Sequence, residues 1–338
     1  MSVGIDIGTK TIKIVELAKS AAKFRLKASG AIGYTGLEPE RLNDEKDYVP
    51  IVEALKKLFK EAKIYDKKVS ISLPESQVFT RTVSFPQLTD QEISSAVKWE
   101  AEQYIPIPLS EAVMQHQVLE KRDNMNPPDV LVLLVAAQKN LVEKYVRVVS
   151  LAGLNCVGVE TELLAMIRSL APIDQTVIIA DIGAKGTDLA ISKNGMLIFS
   201  RSIPTAGDAF TRAVAQSLGI NAVQAEQYKR TYGLSKEQLE GKVKAALDPI
   251  VKIVAEEIKK AIHFYQSEEK GESPTSLILT GGASGMPDIV PTLSKFLGME
   301  VIIGNPFSKI EMDLKVAASL QGYYPLYAVA VGLALRGE

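Results

Sequence analysis

Asp6-Ile7-Gly8-Thr9-Lys10-Thr11-Ile12-Lys13-Ile14 and, about half a chain later, Asp181-Ile182-Gly183-Ala184-Lys185-Gly186-Thr187-Asp188-Leu189 are two versions of one phrase. Each is an Asp-Ile-Gly turn carrying hydroxyl or glycine residues, with aliphatic and β-branched residues on both sides. That pattern reads as strand, tight turn, strand. A glycine turn exposes successive backbone N–H groups, and such a concavity binds anions. Two of them, each with a carboxylate, can close on a nucleotide from opposite sides with a metal ion between. The second copy has changed its chemistry, since Asp188 stands where Lys13 stood. Duplication of a β-rich lobe is the simplest origin for the pair.

A third element follows a buried strand, Leu277-Ile278-Leu279-Thr280, and runs Gly281-Gly282-Ala283-Ser284-Gly285. Glycines there let a flat ring or a phosphate approach the backbone closely. The loop is neither a Walker A sequence nor the dinucleotide fingerprint, because the residues and spacings of both are missing. In the first turn Thr9, Lys10, Thr11 and Lys13 supply the hydroxyl and ammonium groups that a polyphosphate needs. Asp6 there suits a hydrated Mg²⁺, which favours one or two carboxylates plus phosphate oxygens.

The chain has 338 residues, enough for about two domains. Its formal net charge of −1 offers no basic field for nucleic acid. Cys156 is alone and His116 and His263 are the only histidines, so an internal disulfide, a zinc site and a Ser-His hydrolase are all disfavoured. The apolar run Val130 to Ala137 falls far short of the ~20 residues that span a bilayer. With no signal-peptide pattern at the N-terminus, the expectation is a cytoplasmic protein with no direct membrane insertion.

Pro50 to Lys63 has helical periodicity, with Ile51, Leu55, Leu58 and Phe59 on one face. Thr89-Asp90-Gln91-Glu92 is a capping box that starts a helix striped by Ile93, Ala96, Val97, Ala101 and Tyr104, which Pro106 and Pro108 end. Val113 to Leu119 and Val130 to Ala136 are strands joined by the polar, proline-ended loop 121–128. A long helix runs from Lys242 to Glu268, with Pro249 read as first-turn chemistry. The expected division is a first lobe of 1–73 with 154–192 and 320–338, an inserted α+β subdomain of 74–153, and a second lobe of 193–319. Trp99, the single tryptophan, falls about 120° from the apolar stripe of its helix and is a candidate partner anchor.

The three loops in this order, each after a strand, resemble the actin–Hsp70–sugar kinase ATPase superfamily. Gly207-Asp208-Ala209-Phe210-Thr211, Ala225-Glu226-Gln227-Tyr228-Lys229 and the position of the insert narrow the resemblance to the FtsA and PilM branch. Ser84-Phe85-Pro86, Ala101 to Pro106 and Tyr327 to Ala334 make it most similar to the PilM family of type IV pilus assembly. The resemblance covers essentially the whole chain. It implies a duplicated, ribonuclease H-like α/β fold that binds ATP with Mg²⁺. Gly8, Thr9, Lys10 and Thr11 would cradle the terminal phosphates, with Gly183, Gly186 and Thr187 as the second strap and Asp6 and Asp181 facing the metal. Gly281, Gly282 and Ala283 would lie against adenine and the α-phosphate. Glu226 with Lys229, and Glu257 with Lys260, would serve the ribose and the adenine edge. Gly207 is the phosphate contact next to a departure, since FtsA-like chains usually have a second glycine where Ala206 stands. Glu160 and Glu162 lie where related enzymes orient water, and Glu160 is the candidate for a weak ATPase with slow turnover.

The same resemblance implies a partner, the cytoplasmic N-terminal tail of PilN, and a place beside the inner membrane among other pilus assembly proteins. It leaves self-association open. An FtsA-like cell-division role is the first alternative, and Arg336-Gly337-Glu338 directly after the last lobe helix argues against it, because FtsA-type chains continue into an amphipathic membrane helix. A GspL-like secretion component is the second, and there the phosphate motifs would be degraded.

Overall fold

The computed structural model describes residues 2–20, 23–105, 107–123, 127–267 and 271–337. Pro106, Asn124 to Asn126 in the polar loop, Glu268 at the expected helix end and the terminal Glu338 lie outside the described residues. Two sheets dominate. β1 (Ser2–Ile7), β2 (Thr11–Ser20) and β3 (Lys23–Gly33) form an antiparallel meander. After α1 (Glu45–Ala62), β4 (Lys68–Leu73) pairs parallel to β1. The insert follows as β5 (Val78–Pro86), α2 (Asp90–Tyr104), β6 (Ala112–Arg122) and β7 (Asp129–Gln138). The first sheet then gains β8 (Asn155–Thr161), parallel to β4, after α3 (Lys139–Leu151).

α4 (Glu162–Leu170) leads to the second sheet, which repeats the first. β9 (Thr176–Ile182), β10 (Thr187–Lys193) and β11 (Met196–Ile203) are again an antiparallel meander. α5 (Gly207–Leu218), α6 (Ala222–Tyr232) and α7 (Lys242–Ser267) precede β12 (Ser276–Thr280), which is parallel to β9. α8 (Ile289–Leu297) and β13 (Glu300–Ile303) complete that sheet. β14 (Ile310–Glu311) returns to the edge of the first sheet, and α9 (Leu314–Leu320) and α10 (Ala328–Leu335) close the chain. The strand orders β3-β2-β1-β4-β8 and β11-β10-β9-β12-β13 are the same topology twice, as duplication requires.

The topology moves three expected boundaries. Residues 176–192 belong to the second sheet, not the first lobe, because β9 pairs with β12 along its length. β14 belongs to the first sheet although it falls within 193–319. The insert ends near 138, because Leu141, Tyr145, Val148 and Val149 of α3 bury themselves in the first-lobe core with Leu55 and Phe59 of α1. The remaining insert is a three-stranded sheet, β5-β7-β6, under α2. β7 is apolar on both faces for a reason. Val130, Val132, Leu134 and Ala136 pack under α2, while Leu131 and Leu133 enter the cores of the second sheet and of α4. Thr82 Oγ1 donates to the Ile198 carbonyl at 2.8 Å, tying β5 to β11.

Helix starts follow the side chains. Thr89 and Glu92 cap α2 reciprocally, with Glu92 Oε2 accepting from Thr89 N–H at 2.8 Å. α1 begins five residues before Pro50, on an Asp44–Asp47 capping box. Pro249 is carried inside α7, beyond its first turn. Between the two sheets lie α10, on the first, and α4, against the second. They touch backbone to backbone: a Cβ on Gly332 would stand 1.8 Å from the Ala165 carbonyl oxygen, and one on Gly4 of β1 would stand 2.1 Å from that of Ala330. Only glycine permits that approach.

Candidate functional site

Both repeated turns and the third glycine loop open on one cleft of about 1000 Å³ between the lobes. The first turn is closed by Gly8 N–H donating to Thr11 O at 3.1 Å, and Tyr34 Oη donates to Gly8 O at 3.1 Å. The second is closed by Gly183 N–H donating to Gly186 O at 3.0 Å. Gly207 and Asp208 at the start of α5 donate to Gly183 O and Ala184 O at 3.1 and 2.8 Å, so the helix end and the turn are one rigid unit. A Cβ on Gly207 would meet Gly183 O at 3.0 Å. Ala206 brings no obstruction, because its methyl is buried in the second-lobe core.

The third loop needs its first glycine. Gly281 has φ +86°, and a Cβ there would stand 2.0 Å from Asp181 Oδ1. Gly282 and Gly285 face open space on the cleft side, with nothing within 4 Å of an added Cβ. Backbone there can be approached by a flat ring. Ala283 N–H donates to Ile182 O at 3.1 Å, which fastens the loop to the second repeat.

The floor of the cleft is acidic. Asp6 and Lys13 face each other across β1 and β2, with Lys13 Nζ donating to Asp6 Oδ2 at 2.9 Å. In the repeat the same cross-strand position holds Asp181 opposite Asp188, a repulsive pair in place of an attractive one. Burial and the Asp188 charge push Asp181 up to about 7, against the opposing pull of Lys13. Burial also raises Asp188, despite a hydrogen bond from Ser202. Glu162, the first residue of α4, joins them, and burial followed by the charges of Asp6, Asp188 and Asp181 holds it well above the usual carboxylate range. Burial works against the Lys13 ammonium, but Asp6 outweighs it and Lys13 is raised. Asp181 is half-buried, yet its Oδ1 is enclosed with no hydrogen-bond partner. An orphaned acceptor beside three further acids fits a hydrated cation, and Asp6 and Asp181 with Asp188 and Glu162 are the residues that would hold one. Among the described residues no three such side chains close on one metal position directly.

On the second-lobe wall, Lys229 Nζ donates to Gly207 O, Thr211 Oγ1 and Glu226 Oε2 at 3.1, 3.0 and 2.6 Å. Burial disfavours the Glu226 carboxylate, but bonds from Lys229, Thr211 and Arg230 prevail and bring it down to about 2. Glu226 is therefore an ionised acceptor at the cleft, oriented from three sides.

Of the residues singled out in the sequence, Asp6, Gly8, Thr9, Lys10, Thr11, Asp181, Gly183, Gly186, Gly207, Glu226, Lys229, Gly281, Gly282 and Ala283 all line this cleft. Thr187 does not; it is buried, and its Oγ1 donates to Thr205 O at 2.8 Å, bracing the turn from behind. Glu257 and Lys260 do not either. They pair with each other at 2.7 Å, and Arg201 of β11 binds Glu257 at 2.5 Å, so they pin α7 to a sheet edge. Glu160 is likewise misplaced as a water-orienting group, because Arg168 grips both its oxygens at 2.5 and 2.8 Å away from the cleft lining. The carboxyl in the cleft is its neighbour but one, Glu162. Trp99 is exposed on α2, as its helical phase required, and is 65% accessible. Sequence reasoning left out Glu38, Lys185 and Arg230, which also line the cleft. Lys185 had a signal, as the repeat-mate of Lys10.

Two duplicated lobes around a central cleft, each presenting a glycine hairpin turn to it, define the actin-like ATPase fold. The chain belongs within it to the type IV pilus assembly protein PilM family, whose model matches residues 4–338. A solved PilM–PilN type IV pilus biogenesis complex contains a chain that is 27% identical and superposes with a TM-score of 0.84, over 99% of this chain and 98% of that one. The cell division protein FtsA of Pseudomonas aeruginosa is 23% identical over 377 aligned residues, covering 100% of this chain and 89% of FtsA. MreB5 of Spiroplasma citri, solved with AMPPNP, shares the fold with a TM-score of 0.54 and 15% identity over 98% of this chain and 94% of MreB5. No helix among the described residues is long and apolar enough to cross a membrane.

Proposed function

We propose that this chain is a nucleotide-regulated assembly protein of the type IV pilus machinery, taking ATP with Mg²⁺ in its cleft and docking the cytoplasmic N-terminal tail of a PilN-type partner. What carries this is the meeting of three glycine loops at one cleft, two of them repeats with acids at their bases and the third open-faced. The first two turns, with Lys10 and Thr11, suit phosphates; Gly282, which lines the same cleft as the ionised Glu226, suits a purine nucleoside. Mg²⁺, when bound, would neutralise charge shared by the phosphates and the acidic floor.

Turnover is proposed to be slow. A general base must be ionised to take a proton from water, and burial followed by the charges of Asp6, Asp188 and Asp181 raises the Glu162 carboxyl, which works against that role. The protein would then act by holding its lobes in one arrangement while nucleotide is bound. The partner assignment draws on the similar PilM chain solved with PilN. A tail bound beside the insert would hold the protein at the inner membrane, and Trp99 is an exposed side chain suited to that contact.

Calorimetry with a PilN-tail peptide, with and without Mg-ATP, tests both halves. Micromolar or tighter peptide binding that shifts with nucleotide is expected. No heat from peptide in either state would remove the partner assignment, and no heat from Mg-ATP would remove the nucleotide.

A further inference from the structure

Each repeated turn carries a lysine two residues after its glycine, Lys10 and Lys185, and both reach across the cleft to the opposite lobe. Lys10, on the first lobe, pairs with Asp208 at the start of α5. Lys185, on the second lobe, pairs with Glu38, which precedes α1. All four side chains line the cleft. The exchange is reciprocal: each lobe contributes one ammonium and one carboxylate. Both lysines are about half-exposed, while Glu38 is only 11% exposed and also faces Arg41 at 3.6 Å. Burial disfavours the Glu38 charge, yet the Lys185 bond keeps its carboxyl below the usual range, so the pair is ionised at neutral pH.

We propose that Lys10–Asp208 and Lys185–Glu38 form a reciprocal latch that holds the lobes together, and that Asp208 competes with an incoming polyphosphate for Lys10. The first half stands on the ion pairs alone; the second rests on the nucleotide reading above. An internal carboxylate on Lys10 supplies the anion that the turn is built to receive. Ligand phosphate must displace it, so Asp208 sets a threshold for loading. Glu38 holds Lys185 of the second turn in the same way, and its part is read through closure.

The test uses the full chain with Cys156→Ser and nitroxides at Tyr65→Cys and Val223→Cys, exposed positions on opposite lobes. Pulsed electron resonance then reads the inter-lobe distance without ligand, and calorimetry reads Mg-ATP affinity. Glu38→Gln with Asp208→Asn is expected to lengthen and broaden the distance distribution. Asp208→Asn alone is expected to bind Mg-ATP about two- to fivefold tighter, the size of a partly exposed ion pair. The swap Lys185→Glu with Glu38→Lys is expected to restore the distribution that Glu38→Gln loosens, which a merely unstable variant would not do. Identical distributions in all variants, failure of the swap, or weaker Mg-ATP binding by Asp208→Asn overturns the latch. If the parent chain takes up no Mg-ATP, the nucleotide reading falls, and the distance measurements alone decide whether the latch stands.

Discussion

Replacing Asp181 by Asn should stabilise the ligand-free protein at alkaline pH and leave it unchanged in acid. The native carboxyl is pushed from 3.8 to about 7 by burial and by Asp188 across the hairpin. Between those values the native state keeps a proton that the unfolded chain has released. Linkage then makes stability fall as pH rises through that window; the cost is absent below about pH 4 and complete above about pH 7. About three pH units at about 1.4 kcal/mol each gives about 4 kcal/mol. Water reaching the rest of this half-buried side chain trims that toward about 2 kcal/mol. Asn is neutral and nearly isosteric with the protonated acid, so it escapes the cost throughout. Urea denaturation of both proteins in chelator, at about pH 3.5 and about pH 8, should show nearly equal stability at the first and a gain of about 2–4 kcal/mol for Asp181→Asn at the second. A variant no more stable than its parent at the higher pH would refute the claim that this carboxylate is buried against its own charge. Mg-ATP affinity should fall in the same variant, which sets the gain apart from general tightening.

Gly281→Ala should cost about 3 kcal/mol or more in thermal denaturation, because positive φ and a Cβ 2.0 Å from Asp181 Oδ1 act together. Gly282→Ala, with open space around it, should keep its melting temperature and lose nucleotide affinity in calorimetry. Glu160→Gln should leave Mg-ATP affinity within twofold while losing about 1 kcal/mol of stability with the Arg168 pair, as read by urea melts and titration side by side. Trp99→Ala should change stability by less than about 0.5 kcal/mol and weaken PilN-tail peptide at least about tenfold in fluorescence titration.

The hairpin turns were legible because glycine, strand periodicity and repetition all act locally. So was the capping box at Thr89, whose partners are three residues apart. The choice between Glu160 and Glu162 was not, because the two would share a face if β8 ran on, and only the start of α4 at Glu162 sends them different ways. Glu257 with Lys260 looked like Glu226 with Lys229 because i,i+3 spacing carries no information about what the helix face meets. Arg201, from another element, settles it. The lobe boundaries failed for a similar reason: whether α3 closes the insert or fills the first core depends on partners far away in sequence, Leu55 and Phe59. The cross-cleft pairs Lys10–Asp208 and Lys185–Glu38 span well over a hundred residues each and left no local trace.

The glycine seam between α10 and α4 makes a mechanical axle of two helices. Gly332 seats α10 against the Ala165 carbonyl of α4, and Gly4 of β1 is seated against the Ala330 carbonyl of α10, so α10 is held backbone to backbone on both sides. Each is seated on a different sheet, so this rod is where the two lobes are joined helix to helix. A methyl added at Gly332 or Gly4 would strike these carbonyls and push the joint apart rather than merely loosen a core.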